Sequence, residues 1–142
     1  MIKVLIGVDG SEHALRCIEV VASLARKVSP GEAVLINVRD TPMLYGDLPA
    51  TNLERVEEAL HERQERTLDA ALERAGTCGL TIASVRRASG AAAPEIVRAA
   101  VECGADQIVL CTRGMGARGN LLLGSVVQRV VHLASLPILL VK

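Results

Sequence analysis

The chain has 142 residues, half of them hydrophobic, and its sixteen basic and sixteen acidic side chains cancel. That is one domain of ordinary size with enough apolar residues for a core. Neutral balance argues against a nucleic-acid partner, whose phosphates demand a basic face. One Tyr, no Phe and no Trp also remove the stacking platforms of single-strand binders. No stretch approaches the roughly 20 apolar residues of a membrane span, so no membrane partner is expected.

The opening MIKVLIGVDG has a short apolar run that stops at Asp9. It is too short for the apolar region of a signal peptide and has no small-residue cleavage site. It reads as the first strand, Lys3 to Val8, of a cytoplasmic protein. Ser11 is a good N-cap, and Glu12 and His13 open a helix that Pro30-Gly31 stops. Its apolar stripe is Ala14, Ile18, Val21, Ala25 and Val28, with Leu15 and Ala22 beside it; the charged residues lie outside the stripe. Ala33 to Val38 is the second strand. The segment Asp40 to Pro49, with two prolines, a glycine and the sole tyrosine, is long enough to have a job: it reads equally as a ligand-covering loop or as a plain surface connection.

Thr51 or Asn52 caps a long charged helix that runs to about Ala75-Gly76. Its inner face is Leu53, Val56, Leu60, Thr67, Leu68, Ala71, Leu72 and Ala75, and Gln64 interrupts the apolar spacing. The dense charge opposite, including Glu62 and Arg66 at i, i+4, is a solvated face. Thr81 to Arg86 is a third, less apolar strand and is expected at an edge. Ser89-Gly90 breaks the chain, and Pro94 suits an early position of a third helix. That helix has Ile96, Val97, Ala100 and Val101 inward and ends at Gly104. Gln107 to Leu110 is the fourth strand. A helix from Ser125 to about Ser135 buries Val126, Val127, Val130, Val131 and Ala134. Leu136 to Val141 is the fifth strand. The alternation βαβαβαβαβ predicts an α/β fold, one parallel sheet with helices on both faces.

The stretch Cys111 to Ser125, CTRGMGARGNLLLGS, joins the fourth strand to the last helix. Glycines let backbone pass close to a bulky anion, and a helix starting at Ser125 aims free N–H groups and a positive dipole end at the loop. The combination makes a phosphate cradle. Gly114-Met-Gly116-Ala-Arg-Gly119 fits G-x-G-x-x-G, but no acidic residue follows at the distance a dinucleotide fingerprint needs. No Gly-Lys-Ser/Thr tripeptide occurs, which excludes a Walker loop. The four cysteines, Cys17, Cys78, Cys103 and Cys111, form no C-x-x-C and read as buried free thiols. Ligands in such sheets bind outside the carboxyl ends of strands where the strand order reverses. The strand ends with candidate groups are Val8-Asp9 and Leu110-Cys111.

Gly114, nine residues, then Gly124-Ser125 resembles most of G-x2-G-x9-G-[S/T], the nucleotide loop of the universal stress protein family, with Cys111 at its first glycine. VLIGVDGSEHA (Val4 to Ala14), Gly90 with Ile96, DQIVLCTR (Asp106 to Arg113), GNLLLGSVVQRVV and PILLVK extend the resemblance over nearly the whole chain. It implies a three-layer sandwich around a five-stranded parallel sheet of order 3-2-1-4-5, Rossmann-like in the manner of the adenine nucleotide alpha hydrolases. It also implies ATP, with Mg²⁺ or Mn²⁺, in a crevice between strands one and four. By the resemblance, Asp9 lies near ribose, phosphates and metal, and Val38 packs near adenine. Gly114, Gly124 and Ser125 bind phosphate. Gly7, Val8, Leu110, Cys111 and Val126 complete the expected nucleotide site. Many members pair their last strands antiparallel, which here would make a homodimer through Ile138 to Val141.

Three hypotheses follow. The first is an ATP-binding stress-response module with at most slow hydrolysis, because no His or Glu pairs with Asp9 in sequence, and His13, His61 and His132 have no ligand spacing. The alternative is a dimeric interaction module of the same family that binds no nucleotide, for which Cys111 is the best support. A cysteine β-carbon costs on the order of 1 kcal/mol if that position needs positive φ. Cys111 is also a candidate redox group over the nucleotide. A phosphorelay receiver needs a cluster of carboxylates and a lysine, but Asp9 is alone. A Ser-Gly-Gly-x-Asp-Ser pyrophosphatase loop is absent after the first strand.

Overall fold

Nine elements alternate strictly in a computed structural model that describes residues 1–41, 49–113 and 123–142. They are β1 (Ile2–Gly7), α1 (Glu12–Lys27), β2 (Gly31–Arg39), α2 (Ala50–Cys78), β3 (Thr81–Ser89), α3 (Ala92–Glu102), β4 (Gln107–Cys111), α4 (Ser125–Leu133) and β5 (Ile138–Val141). The strands form one sheet of order β3-β2-β1-β4-β5, and every neighbouring pair is parallel. Two cores flank it. Val4, Ile6, Leu35 and Val109 pack against α1 and α2 through Ile18, Leu68 and Ala71. Leu5, Ile36, Ile108 and Leu110 pack against α3 and α4 through Ile96, Ala100 and Val130. Successive strand residues thus enter opposite cores, which is why the central strands read as unbroken apolar runs. The fold is the expected three-layer α/β sandwich.

The elements start and stop for local reasons. Ser11 caps α1: its hydroxyl accepts the Ala14 N–H at 3.2 Å. Glu12 sits in the first turn and Arg26 and Lys27 in the last, each on the favourable end of the helix dipole. The second helix differs from expectation at both ends. Its N-cap is Pro49, not Thr51 or Asn52. It runs through Gly76 to Cys78 and stops at Gly79, whose φ is 72°. There the Leu80 N–H reaches Ala75 O at 2.9 Å and the Gly79 N–H reaches Gly76 O at 3.2 Å, the Schellman pattern. Gly79, rather than Gly76, supplies the left-handed turn. Strand β3 continues to Ser89, beyond the expected Arg86, because Gly90 at its exit still donates to Arg39 O at 2.9 Å. It lies at the sheet edge as expected.

Several apolar positions assigned to the interior face outward. Val28, Val101, Val131 and Leu72 are exposed. Only Val127 and Val130 of α4 are buried, and Val126 is 38 % exposed. Each helix lies on one face of the sheet, so its buried stripe is narrower than its apolar sequence. Asn37, Gln64 and Cys17 gain interior or crevice positions instead.

Candidate nucleotide-binding crevice

The carboxyl ends of β1, β2 and β4 frame a crevice of about 450 Å³. Its walls come from both helical layers: Leu60, Arg63, Gln64 and Thr67 of α2, Ile96 of α3 and Ser125 to Val127 of α4. The crevice exists because β1 stops early. The ladder's last β1–β2 bond runs from the Val8 N–H to Ile36 O, at 2.9 Å. Val8 O is then taken by the Asn37 side-chain amide at 2.8 Å. Strand β2 continues alone. Ile36 faces β1 through Val8, and Arg39 faces β3 through Gly90. Alternation therefore turns the Val38 N–H and C=O toward the side that β1 has vacated. A flat heterocycle entering there meets a donor and an acceptor on the Val38 backbone.

Gln64 completes that wall. It interrupts the apolar stripe of α2, yet it is only 3 % exposed. Its amide nitrogen donates to Asn37 O at 3.0 Å and to Ala88 O at 2.8 Å. One side chain thus ties the ends of β2 and β3 together beneath the crevice. In the sequence Gln64 stands only as an interruption of the apolar spacing. A polar residue in the middle of a buried stripe is the signal that could have found it, because such a group needs hydrogen-bond partners.

At the end of β1, Asp9 is half-buried and its Oδ1 accepts from the Ser11 N–H at 3.0 Å and the Ser11 hydroxyl at 2.6 Å. Gly10 between them has φ 90°, which the turn requires. The carboxylate is therefore held in one orientation at the crevice floor. Opposite it, the β4 exit fixes the start of α4. The Thr112 N–H donates to Val141 O and the Gly124 N–H to Thr112 O, both at 2.9 Å. Gly124 is the N-cap of α4, with φ −67°, and no side chain caps the helix there. The first rung is Gln128 N–H to Gly124 O at 3.1 Å, so the N–H groups of Ser125, Val126 and Val127 precede the ladder. All three residues line the crevice.

Charge agrees with that arrangement. Among the described lining residues, Arg39, Arg63 and Arg113 outnumber Asp9 and Asp40, and no histidine or lysine is present. Gly124 adds a steric point. Among the described atoms, a β-carbon there would come closest to Thr112 O, at 3.7 Å. Among the described residues, neither φ nor packing demands glycine at this position.

Of the sequence-predicted residues, Gly7, Val8, Asp9, Val38, Leu110, Cys111, Gly124, Ser125 and Val126 all border this crevice. Gly114 lies outside the described residues, as do Gly116 and Gly119. Cys111 differs from expectation. It is the last residue of β4 in ordinary strand conformation, and no described non-glycine residue has positive φ. The penalty expected of a β-carbon therefore does not arise. Its side chain is buried in the α1-side core, in the same cluster as Cys17 and Val109, and the Cys17 Sγ donates to His13 O at 3.7 Å. Cys111, burial and nearby negative charge push the Cys17 thiol far above its ordinary range. Cys17, helped by Ser11, lowers Cys111 against the opposing effects of burial and Asp9.

No group of three or more His, Cys, Asp or Glu suited to a metal occurs among the described residues. Among the described lining residues the carboxylates are Asp9 and Asp40. That donor set suits a magnesium-type ion brought with phosphates and keeping its waters, not a cage of protein ligands.

The family model described as the universal stress protein family matches residues 1–142. The chain belongs to the universal stress protein family. A universal stress protein encoded in the 3′ region of a QAH/OAS sulfhydrylase gene of Thermus aquaticus is 34 % identical over 139 residues, covering 98 % of this chain and 97 % of its own. A solved universal stress protein family structure from Burkholderia pseudomallei is 26 % identical, with TM-score 0.74, covering 97 % and 93 % of the two chains. Another, a universal stress protein in complex with cAMP, is 25 % identical with TM-score 0.68, covering 99 % and 96 %. This universal stress protein domain thus carries the family's sheet order from β3 to β5, with its crevice at the reversal between β1 and β4.

Proposed function

We propose that the crevice binds ATP together with Mg²⁺ or Mn²⁺, and that the protein acts as a nucleotide-dependent regulatory module in the cytoplasm. The observation that carries the reading is the start of α4. Three N–H groups ahead of the helical ladder, a glycine that no described neighbour requires and Arg113 line the same crevice as Asp9. Backbone N–H groups at a helix N-terminus, with the helix dipole behind them, favour phosphate. The solved relative with cAMP supports an adenine nucleotide as the ligand class.

The residues divide by role. The Val38 backbone and the apolar walls of Leu60, Ile96 and Leu110 receive the base. Asp9 faces the ribose and the metal. Gly124, Ser125 and the loop glycine Gly114 take the phosphates. A bound divalent ion, with Asp9 as the residue that would hold it, would supply charge neutralisation to the phosphates. Hydrolysis is slow at most, since the described lining offers no histidine and Asp9 is already bonded to Ser11. A bound nucleotide then acts by stabilising one conformation over another. The open edge of β5, Ile138–Val141, supports a homodimer formed by antiparallel pairing of that strand with its copy.

The experiment is extraction of nucleotide from purified protein, followed by calorimetric titration with ATP and Mg²⁺. Bound adenine nucleotide that is lost on Gly124→Val supports the reading. A folded protein that carries none, and gives no heat at millimolar ATP, overturns it and leaves the dimeric interaction module. Light scattering of wild type and of Leu139→Lys tests the dimer; an unchanged mass removes the β5 edge as the interface.

A further inference from the structure

The amide of Gln64 bonds two carbonyls that bracket a single residue of the crevice wall. Asn37 O, at 3.0 Å, belongs to the peptide plane that also carries the Val38 N–H. Ala88 O, at 2.8 Å, belongs to the residue that pairs with Val38 in the β2–β3 register. A trans peptide points its C=O and its N–H in opposite directions. Holding Asn37 O on the β3 side therefore aims the Val38 N–H at the side that β1 has vacated. A hydrogen bond accepted by that C=O also polarises the plane and strengthens its N–H as a donor. The Asn37 side chain, in turn, donates to Val8 O at 2.8 Å. That bond engages the carbonyl at the β1 exit, and the Val38 C=O remains as the acceptor that β2 itself presents on that side.

A strut for the fold does not need an amide at this place. Strands β2 and β3 are already joined from Glu32↔Thr81 to Arg39↔Ser89, and the Gly90 N–H closes the ladder on Arg39 O at 2.9 Å. Leu68 and Ala71, further along the same face of α2, are fully buried and apolar. A side chain of their kind would continue that stripe without the cost of burying a polar group. Gln64 instead sits 3 % exposed on the border of the crevice, with its donors on the two carbonyls that set the Val38 peptide.

We propose that Gln64 is the positioning residue that makes the crevice select adenine over guanine nucleotides. The inference rests on the nucleotide reading above and deepens it. Val38 offers the base one donor, its N–H, and one acceptor, its C=O. Adenine presents a ring-nitrogen acceptor beside an amino donor and satisfies both. Guanine presents the reverse on the same edge, a ring N–H beside a carbonyl oxygen. Donor then meets donor and acceptor meets acceptor, and a site built to hydrogen-bond its ligand rejects such a partner because its own groups are left unpaired. The selection holds only while the peptide keeps its orientation. Val38 lies on the part of β2 that overhangs β1, so no neighbouring strand fixes it from the crevice side. Gln64 fixes it from the other side, and acts on the base only through Val38.

The test is calorimetric titration of wild type and of Gln64→Met with ATP, GTP and inorganic tripolyphosphate, each with Mg²⁺. Methionine has nearly the length of glutamine and no donor. The expected result is an ATP-to-GTP affinity ratio that falls about fivefold in the variant, the effect of one neutral hydrogen bond. The affinity for tripolyphosphate, which has no base, is expected to stay as in wild type. An unchanged ATP-to-GTP ratio overturns the proposal. So does an equal loss for all three ligands, which is what a mere strut beneath the crevice would give. Nuclear magnetic resonance of wild type keeps the test open if Gln64→Met folds poorly. ATP must shift the Val38 backbone amide and the Gln64 side-chain amide together, and tripolyphosphate must shift neither; a Gln64 amide indifferent to ATP overturns the proposal. Wild type that binds neither ATP nor tripolyphosphate sinks the nucleotide reading and this inference with it. Wild type that prefers ATP, beside a variant that keeps the same preference, sinks this inference alone.

Discussion

Gly124→Ala separates what the fold needs from what the ligand needs. The residue has φ −67° and ψ 160°, which alanine adopts freely, and the added β-carbon meets Thr112 O at 3.7 Å, an ordinary contact. Two small effects oppose each other. Restricting the unfolded chain stabilises by about 0.4–1 kcal/mol, while alanine at an N-cap is worse than glycine by roughly 0.5–1 kcal/mol. The net change in stability is therefore within about 0.5 kcal/mol. With about 2.1 cal/mol/K of unfolding entropy per residue, that moves Tm by no more than roughly 2 °C. On the proposed reading, the same methyl group stands where a phosphate approaches the N–H groups of α4. Losing one well-placed charge-assisted hydrogen bond costs about 1.5–3 kcal/mol, which is roughly a 10- to 150-fold loss of affinity. Urea and thermal melts measure the first quantity and calorimetry with ATP and Mg²⁺ the second. Wild-type affinity in Gly124→Ala would refute the argument that this glycine exists for the ligand. A loss of stability above about 1.5 kcal/mol would refute the claim that nothing in the fold requires it.

Two other glycines behave in the opposite way. A β-carbon at Gly31 would lie 2.8 Å from the carbonyl oxygen of Ile2. That atom is backbone in the β1–β2 ladder and cannot yield, so Gly31→Ala loses about 1–3 kcal/mol by overpacking, read as a lower urea midpoint. At Gly7 the nearest atom, at 2.6 Å, is the tip of Leu110. That tip can rotate, so Gly7→Ala destabilises less than Gly31→Ala; the reverse order would contradict the packing argument. The acid limb of stability has a worked sign. Arg87 holds the Glu65 carboxyl below its ordinary range, and Arg98 with Arg86 does the same for Glu102. A depressed carboxylate adds stability that is fully present above its unfolded pKa and is lost as pH falls through the folded value. Both pairs are solvent-exposed, so their contribution is small and screened by salt. Urea midpoints followed downward from pH 6 at low and at high salt should converge, and a stability that rises on acidification would refute the sign.

Most of the fold was legible because its strands and helices use different apolar periods. Ala33 to Ile36 and Ile108 to Leu110 are unbroken apolar runs, as strands covered on both faces must be. Ile18, Val21 and Ala22 recur at helical spacing. The misjudged positions share a cause. Val28, Val101 and Val131 have the right residue type and lie close to the buried stripe, but a helix resting on a flat sheet buries a narrower arc than its apolar residues span. The α2 boundaries went astray for a different reason. Gly76 and Gly79 are equally good stop signals in sequence, and Leu80, whose side chain is buried beyond the turn, decides for Gly79. Asp9, Gly124 and Ser125 were legible as a site because glycine, a capping group and a strand end coincide there. Their convergence depends on β1 and β4 being neighbours, which only the sheet order reveals.

Gln64 and Cys111 show where sequence pattern misleads. Both break a local rule, and both breaks have structural partners. Gln64 sits in an apolar stripe because two carbonyls at the ends of β2 and β3 face it there. Without its amide, the β2–β3 ladder would end with those carbonyls facing an apolar wall, at the cost that an under-bonded buried acceptor carries. Its presence lets β2 extend past β1 and still remain tied to β3, and that overhang exposes the Val38 backbone to the crevice. Cys111 stands at a motif glycine with its side chain buried in the α1-side core and its backbone in ordinary strand conformation. On the proposed reading the site tolerates a side chain at the end of β4 and not at the start of α4, which Gly124→Ala tests.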